Sequence, residues 1–185
     1  MTSLTNVRLL AVISVILGLG LMAVVVTQTT KPNPGKFLEV VGNVTVNGAQ
    51  AISGGTVNSD SAITTTARSS AVVSLGKLGR VEVLPSSTMK LTFADASVSV
   101  SMLDQGRVRI SSSSNVTATT TTNDGSVVTT GNQRNEYVVD TSCGNTFVSV
   151  KKGTVELRAG STVKQIAAGN QDTAGTARPG CTPAP

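Results

Sequence analysis

The sequence predicts an all-β protein: an antiparallel β-sandwich or roll of about twelve short strands that follows a single N-terminal transmembrane helix. Val, Thr and Ser contribute 27, 26 and 21 residues, so 74 of the 185 residues are of types that favour pleated sheet and turns. Strict alternation of apolar and polar residues, as in Ser97–Ser101, is typical of a strand with one buried face. The helix is predicted by one long apolar run near the N-terminus.

That run is Leu9–Val26, "LLAVISVILGLGLMAVVV", and it contains no charged residue. As a helix it spans roughly 27 Å, close to the hydrocarbon core of a bilayer at about 30 Å. Residues 1–8 are then a cytosolic stub, residues 9–26 the transmembrane helix and residues 27–36 a linker. The alternative is a cleaved signal peptide, but "VVVTQTTKPNP" contains no small-x-small cleavage site.

The positive-inside rule does not orient this helix, because basic residues flank it on both sides. The rest of the chain is rich in Ser, Thr and Val and has two cysteines, which favours an exported domain. We therefore expect a single-pass inner-membrane protein with a cytosolic N-terminus and a periplasmic β domain. Ser14 and Gly18 lie four residues apart on one helix face, where small residues allow another helix to pack closely.

The β domain is predicted over residues 37–169, with turn signals every 8 to 12 residues. The predicted strands are Phe37–Val46, Ala71–Leu75, Arg80–Leu84, Met89–Phe93, Ser97–Leu103, Arg107–Ile110, Val116–Thr122, Ser126–Thr130, Glu136–Asp140, Thr146–Val150, Thr154–Arg158 and Val163–Ala167. Such even spacing is typical of a sandwich, barrel or roll.

Two kinds of turn recur between these strands. Asn47-Gly48 is the strongest short hairpin signal. Five further turns place Gly third, at residues 104–106, 123–125, 151–153, 158–160 and 167–169. They indicate one recurrent hairpin geometry, so that Ser97–Leu103 and Arg107–Ile110 form a hairpin in which Gly106 takes a positive φ.

Residues 170–185 lack apolar periodicity and are predicted to be a tail without order of its own. Cys181 lies in this tail and Cys143 lies in the turn "TSCGN". A disulfide between them would attach the tail to the domain, and two unrelated thiols are the alternative.

The composition argues against several classes of function. The chain has no histidine, which removes Ser/His/Asp triads, His-ligated zinc and haem ligation by His. No pair of carboxylates or Ser-Lys pair indicates catalysis, so we name no catalytic, metal or cofactor-binding residue and expect neither an enzyme nor a cofactor. The net charge of +5 is spread along the chain with few aromatic residues, so we expect a solvated surface and no nucleic-acid binding.

A series of Gly- and Val-containing segments runs through residues 42–91: Gly42-Asn43-Val44, Gly55-Thr56-Val57, Thr66-Ala67-Arg68-Ser69-Ser70-Ala71, Gly79 and Val83-Leu84-Pro85-Ser86-Ser87. In their order and spacing they resemble the FecR-type periplasmic domain, the family of the iron-dicitrate sensor. "LDQGRVRI" and "NTFVSVKKGTVELRAGSTVKQIAAGNQ" are similar to later motifs of the family, so the resemblance covers about residues 38 to 172. It implies an FecR-like β fold for residues 37–169.

The resemblance does not carry the family's signalling output with it. Its sensors have a cytosolic anti-sigma region before the membrane span and a C-terminal part that receives the signal. Residues 1–8 are too short to hold a sigma factor, and Asn145-Thr146 stands where the family has Gly-Thr.

The preferred function is therefore a non-enzymatic structural or accessory subunit of a membrane complex, which stabilises that complex through its helix and the outer face of its β domain. The expected partners are other membrane-complex subunits and the lipid bilayer, with no small-molecule substrate. The predicted contact residues are Arg107, Arg109, Lys151 and Lys152. The alternatives are an FecR-like envelope sensor and a cell-wall or carbohydrate-binding domain, for which Tyr137 is the one aromatic platform considered.

Overall fold

The computed structural model of the protein describes residues 33–102 and 104–183. The predicted stub, the predicted transmembrane helix with Ser14 and Gly18, and most of the predicted linker lie outside the described residues. Within the described ranges, no helix is long and apolar enough to cross a membrane. These ranges consist of strands and turns with one 3-10 turn at Gly76–Leu78, so the all-β prediction is confirmed for them.

Seventeen strands make up the described part of the chain. In chain order they are β1 Gly35–Val41, β2 Val44–Val46, β3 Ala49–Gln50, β4 Thr56–Val57, β5 Ser61–Thr65, β6 Ser70–Ser74, β7 Gly79–Val83, β8 Ser87–Ala94, β9 Ser97–Ser101, β10 Arg107–Ser112, β11 Thr117–Thr121, β12 Ser126–Thr129, β13 Asn135–Asp140, β14 Thr146–Lys152, β15 Thr154–Ala159, β16 Thr162–Ala167 and β17 Gln171–Ala174.

The strands form two sheets with a shared core. The eight-stranded sheet has the order β17-β14-β13-β10-β7-β6-β1-β4, and the nine-stranded sheet has the order β16-β15-β12-β11-β9-β8-β5-β2-β3. Both sheets contribute to a single apolar core, for example Val108 and Tyr137 from the first and Leu91 and Leu157 from the second. The fold is therefore a β-sandwich-like arrangement.

Side-chain alternation decides which face of each strand is buried. On β10 the apolar Val108 and Ile110 are fully buried, whereas Arg107 and Arg109, which alternate with them, lie on the outer face. Successive side chains of a strand point to opposite faces, so a Val/Ser or Val/Arg pattern is sufficient to build a one-sided core.

Strand order in each sheet follows chain order almost throughout. From β1 onward the chain alternates between the sheets and adds strands in one direction, and only β4 and β3 extend the sheets the other way. Neighbouring strands are antiparallel, except that β9 and β11 are parallel. The parallel pair arises because β10, in the other sheet, lies between them in the chain.

The prediction of about twelve strands is too low. The predicted strand Phe37–Val46 is two strands, because Gly42, with a φ of 72°, passes the chain from the eight-stranded to the nine-stranded sheet. The short and largely polar strands β4 and β5 have no strong apolar signal and were not predicted.

The predicted hairpin between Ser97–Leu103 and Arg107–Ile110 is wrong. β9 belongs to the nine-stranded sheet and β10 to the eight-stranded sheet, so the turn at residues 104–106 crosses between sheets. Gly106 is not among the residues with positive φ. It is required for space, since an added Cβ would lie 3.1 Å from the Cα of Ser87.

The other Gly-third turns divide into two groups. Residues 123–125 join the antiparallel pair β11–β12, and residues 158–160 join the pair β15–β16, as predicted. Residues 151–153 and 167–169 instead carry the chain between sheets. The predicted hairpin at Asn47-Gly48 is confirmed, with positive φ at both residues.

The C-terminal segment is more ordered than expected. Gln171–Ala174, placed in the predicted tail, pairs with β14 as the last strand of its sheet. Past it, the Cys143–Cys181 disulfide is confirmed, and the Arg178 amide donates to the Cys143 carbonyl at 2.9 Å. Lys164 Nζ on β16 lies 2.7 Å from Asp172 Oδ1 on β17, and this hydrogen bond lowers the pKa of Asp172.

Candidate functional site

The four predicted contact residues lie on the eight-stranded sheet, on two strands separated by one. Arg107 and Arg109 are on β10, Lys151 and Lys152 are on β14, and β13 lies between them. All four side chains are partly or fully exposed. Arg107 and Arg109 alternate with the buried Val108 and Ile110, so they lie on the face that points away from the core. We call this the outer face of the eight-stranded sheet.

Carboxylates of neighbouring strands pair with three of these four cations. Arg109 Nη1 lies 2.6 Å from Glu82 Oε2 on β7, and Lys151 Nζ lies 3.1 Å from Glu136 Oε1 on β13. Arg107 Nε lies 3.8 Å from Asp140 Oδ2, which is almost fully buried. These pairs connect adjacent strands. Of the four predicted contact residues, Lys152 forms no ion pair within the described residues.

A basic cleft of about 380 Å³ opens at the end of the eight-stranded sheet where Lys152 lies, and residues from both faces of the strand ends line it, such as Arg80 and Ser112. Three cations, Arg80, Arg134 and Lys152, line it together with the serines of β6 and β10. The complete lining is Leu38, Ser74, Gly76, Gly79, Arg80, Ser111, Ser112, Ser113, Arg134, Asn135, Glu136 and Lys152.

Strand register brings most of these residues together. Ser74 is opposite Arg80, Arg80 opposite Ser111, Ser111 opposite Glu136, and Glu136 opposite Lys152. This row crosses five strands in which neighbours are about 4.8 Å apart. The cleft is thus a product of sheet pairing and not of one local motif.

The floor of the cleft contains buried polar side chains. Asn135 is satisfied, since its Oδ1 accepts from the Thr154 amide at 3.0 Å and its Nδ2 donates to the Gln133 carbonyl at 3.0 Å. Ser112 is 5% exposed, and its Oγ has no hydrogen-bond partner among the described residues. A buried hydroxyl without a partner is unusual and requires a physical reason.

An apolar patch lies at the β1 end of the same sheet. Leu38 and Val41 on β1 are 56% and 44% exposed, and Ile52 in the loop after β3 is 67% exposed. This loop is held against β1, because the Gly54 amide donates to the Phe37 carbonyl at 2.8 Å and Ser53 Oγ accepts from the Val40 amide at 3.0 Å. We call Leu38, Val41 and Ile52 the β1 patch.

Tyr137 is not a platform for carbohydrate. It is fully buried in the core, and its hydroxyl lies 3.5 Å from Thr120 Oγ1. Burial raises the pKa of this phenol well above its ordinary value. Since the ring has no exposed face on which a sugar could stack, the burial of Tyr137 contradicts the role it has in the carbohydrate-binding alternative.

Acidic side chains gather elsewhere on the surface but do not form a metal centre. Asp104 and Asp124 line a cleft of about 220 Å³ beside Thr141. Asp124 Oδ2 accepts a hydrogen bond from Thr146 Oγ1 at 3.0 Å. Among residues 33–102 and 104–183, no group of three or more His, Cys, Asp or Glu side chains could hold a metal ion.

Sequence reasoning missed Arg80, Arg134 and Ser112. Arg80 alternates with the buried Val81, which marks it as an outer-face residue, but its neighbours depend on strand register. Ser112 is one of four consecutive serines, Ser111–Ser114, so nothing in its own residue type marks it as buried. It is buried because it lies on the same face of β10 as Val108 and Ile110.

No protein-family model and no curated protein matches this chain.

Proposed function

We propose that the protein is a non-enzymatic, membrane-anchored accessory subunit whose β domain stabilises a membrane complex through protein–protein contacts. The anchor in this proposal is the apolar run 9–26, and the β domain lies on the extracytoplasmic side. The disulfide supports that side, because structural disulfides persist in oxidising compartments.

The observation that carries the proposal is the β1 patch. Leu38, Val41 and Ile52 are three of the four large hydrophobic residues exposed in the described part of the chain. Leu38 and Val41 are on β1, the first strand of the described domain, and Ile52 is in the loop that is hydrogen-bonded to β1. Exposed apolar side chains that are grouped mark protein-interaction surfaces more often than scattered ones do. The fourth, Val163, is on β16 at the far edge of the other sheet.

A native gel tests this function. Membranes of cells that make the protein are solubilised in mild detergent, and the chain should migrate with one large complex in constant proportion. The double variant Leu38→Glu/Ile52→Glu should release it from that complex, whereas Val163→Glu should not. Because all three side chains are exposed, thermal unfolding of the purified variants should match that of the unaltered chain. A chain that migrates alone, or equal behaviour of the two variants, would contradict the proposal.

The second candidate is an FecR-like envelope sensing module. It is favoured by a contact between two of the resembling segments. Ser69 Oγ accepts from the Asn43 amide at 2.9 Å and lies 2.9 Å from Thr66 Oγ1. A Cβ at Gly42 would lie 2.5 Å from Ser69 Oγ, which explains the glycine. A sensor should be present in smaller amounts than any complex and should vary with an inducer, which quantitative blotting would reveal.

A further inference from the structure

We propose that the basic cleft binds a phosphate group, carried either by a small soluble molecule or by a lipid headgroup. The site consists of Arg80, Arg134 and Lys152 as cations and of the serine hydroxyls of β10 and its following turn. This goes beyond the proposed function, because the cleft and the β1 patch are different surfaces that share only Leu38 at the rim.

Charge is the first argument. Arg80, Arg134 and Lys152 are exposed and form no ion pair within the described residues. In the described part of the chain, Glu136 is the one carboxylate that lines the cleft, and Lys151 already pairs with it at 3.1 Å. The cleft therefore presents three cations whose charge no described side chain offsets, and an anion would be attracted to it.

The buried hydroxyl of Ser112 is the second argument. A polar group that is buried without a partner is less stable than one that forms a hydrogen bond. Its neighbours Val108 and Ile110 on the same strand face are in the apolar core, so the position would be filled as well by a small apolar residue. An oxyanion bound in the cleft would supply the acceptor that this hydroxyl lacks.

The arrangement fits a phosphate better than a carboxylate. The three cations come from β7, from the turn before β13 and from the end of β14, and the hydroxyls come from β10. A planar carboxylate is satisfied by one Arg fork, whereas the oxygens of a phosphate point in several directions and accept from several donors.

The lining also limits what the phosphate is attached to. Among residues 33–102 and 104–183, no aromatic side chain lines the cleft, so a nucleobase would find no described ring on which to stack. A volume of about 380 Å³ accommodates a phosphate with a small polar substituent, such as a glycerol phosphate. We therefore infer a glycerol-phosphate type of ligand and not a nucleotide.

The test is calorimetric titration of the full chain in an uncharged detergent at about 0.15 M salt, where nonspecific attraction between surface charges is largely screened. The probes are inorganic phosphate, glycerol 1-phosphate and a short-chain phosphatidylglycerol, with glycerol as the uncharged control. We expect saturable binding of one phosphate-bearing probe per chain. Binding of the two soluble probes identifies a soluble ligand, and binding of the lipid alone identifies a headgroup. Absence of binding by all three would overturn the proposal.

Two variants locate the binding. Arg80→Gln/Arg134→Gln should weaken it about tenfold or more, a loss on the scale of charge-assisted hydrogen bonds. The matched control is Arg68→Gln, since Arg68 is an exposed cation just before β6, at the opposite end of that strand from Ser74. Equal weakening by the cleft and control variants would show nonspecific attraction and would overturn the site.

Ser112→Ala separates a ligand-binding role from a structural one. Removal of an unpartnered hydroxyl should leave the melting temperature of the unliganded chain unchanged or raise it, while weakening phosphate binding. Unchanged affinity would overturn the assignment of Ser112 as a ligand. All of these measurements use the isolated chain. If phosphate does not bind, the accessory-subunit proposal is unaffected, and if the native gel contradicts that proposal, the phosphate site is unaffected.

Discussion

Single residues decide how closely the strands approach at the cleft, and Gly79 is the sharpest case. It has a φ of 122°, and a Cβ there would lie 2.0 Å from the carbonyl oxygen of Ser111 on the neighbouring strand. Gly131 also has a positive φ, 72°, but no atom of the described residues lies within 4 Å of where an added Cβ would be. A comparison of the two glycines therefore separates the energetic cost of a positive φ from the cost of a steric clash with a neighbouring strand.

We expect Gly79→Ala to lower the free energy of unfolding by about 3 kcal/mol or more, because backbone strain and a backbone clash act together. Gly131→Ala should lower it by only about 1 kcal/mol, since a left-handed conformation alone costs roughly that much. Urea denaturation of both variants measures the difference. Equal midpoints would show that the β7–β10 backbone adjusts freely.

Tyr137 gives the fold a predictable response to alkaline pH. Burial raises the pKa of its phenol in the folded state, whereas the unfolded chain has an ordinary tyrosine pKa of about 10. Above that pH the unfolded state releases a proton that the folded state retains, so the free energy of unfolding falls by up to about 1.4 kcal/mol per pH unit from this residue. Below it, Tyr137 is neutral in both states and contributes no pH dependence.

Unfolding measured at about pH 9 and about pH 11, on either side of the ordinary tyrosine pKa, should show this loss. The Tyr137→Phe variant should lose less stability over the same interval. Because the chain has one tyrosine and no tryptophan, phenolate absorbance follows Tyr137 alone. A phenolate signal that appears near the ordinary pKa without unfolding would contradict the burial of the ring.

At the scale of elements, the disulfide and β17 together hold the C-terminal segment. The cysteines are 38 residues apart, and the loop between them includes β14 to β17. In the chain-entropy account, a loop of this size stabilises the folded state by at most about 4 kcal/mol. We expect Cys143→Ser/Cys181→Ser to lower the melting temperature accordingly while leaving a folded sandwich.

Calorimetry with and without a reducing agent tests this expectation. Reduction of the unaltered chain should reproduce the shift of the double variant, and reduction of the variant should have no effect. If the variant retained the melting temperature of the oxidised chain, β17 pairing alone would account for the attachment of the segment.

Period-two alternation was sufficient to find most strands but not their partners. Ser97–Ser101 and Arg107–Ser112 were both predicted as strands, yet they lie in different sheets, since alternation marks a buried face without saying which sheet it belongs to. The same limit applies to the site. Arg109 was predicted as a contact residue, but its pairing with Glu82 depends on register, and so does the lack of such a pair for Arg80 among the described residues.

At the scale of the whole molecule, each sheet has interior strands and edge strands, and we expect the two kinds to differ in local stability. β10 and β13 have hydrogen-bonded neighbours on both sides, whereas β3, β4 and β16 are at sheet edges. Edge strands leave part of their backbone unpaired and open at lower free energy than interior strands.

Hydrogen–deuterium exchange should therefore be slowest for peptides that cover β10 and β13, and fastest for those that cover β3, β4 and β16. The gradient should follow position in the sheet and not apolar content, because β16 contains Val163 and Ile166 yet is an edge strand. Equal protection of edge and central strands would indicate that the sandwich opens only as one unit.

The order of strands also bears on how the molecule is made. Ribosomes release the chain from its N-terminus, and nearly every strand after β1 is laid down beside one that has already emerged. The sandwich can therefore form progressively from its N-terminal end, because almost every new strand pairs with a strand that has already been synthesised. Cys181 follows every strand in the chain, so the Cys143–Cys181 disulfide forms last, when an oxidant of the compartment accepts two electrons from the pair of thiols, and it then holds a structure already built.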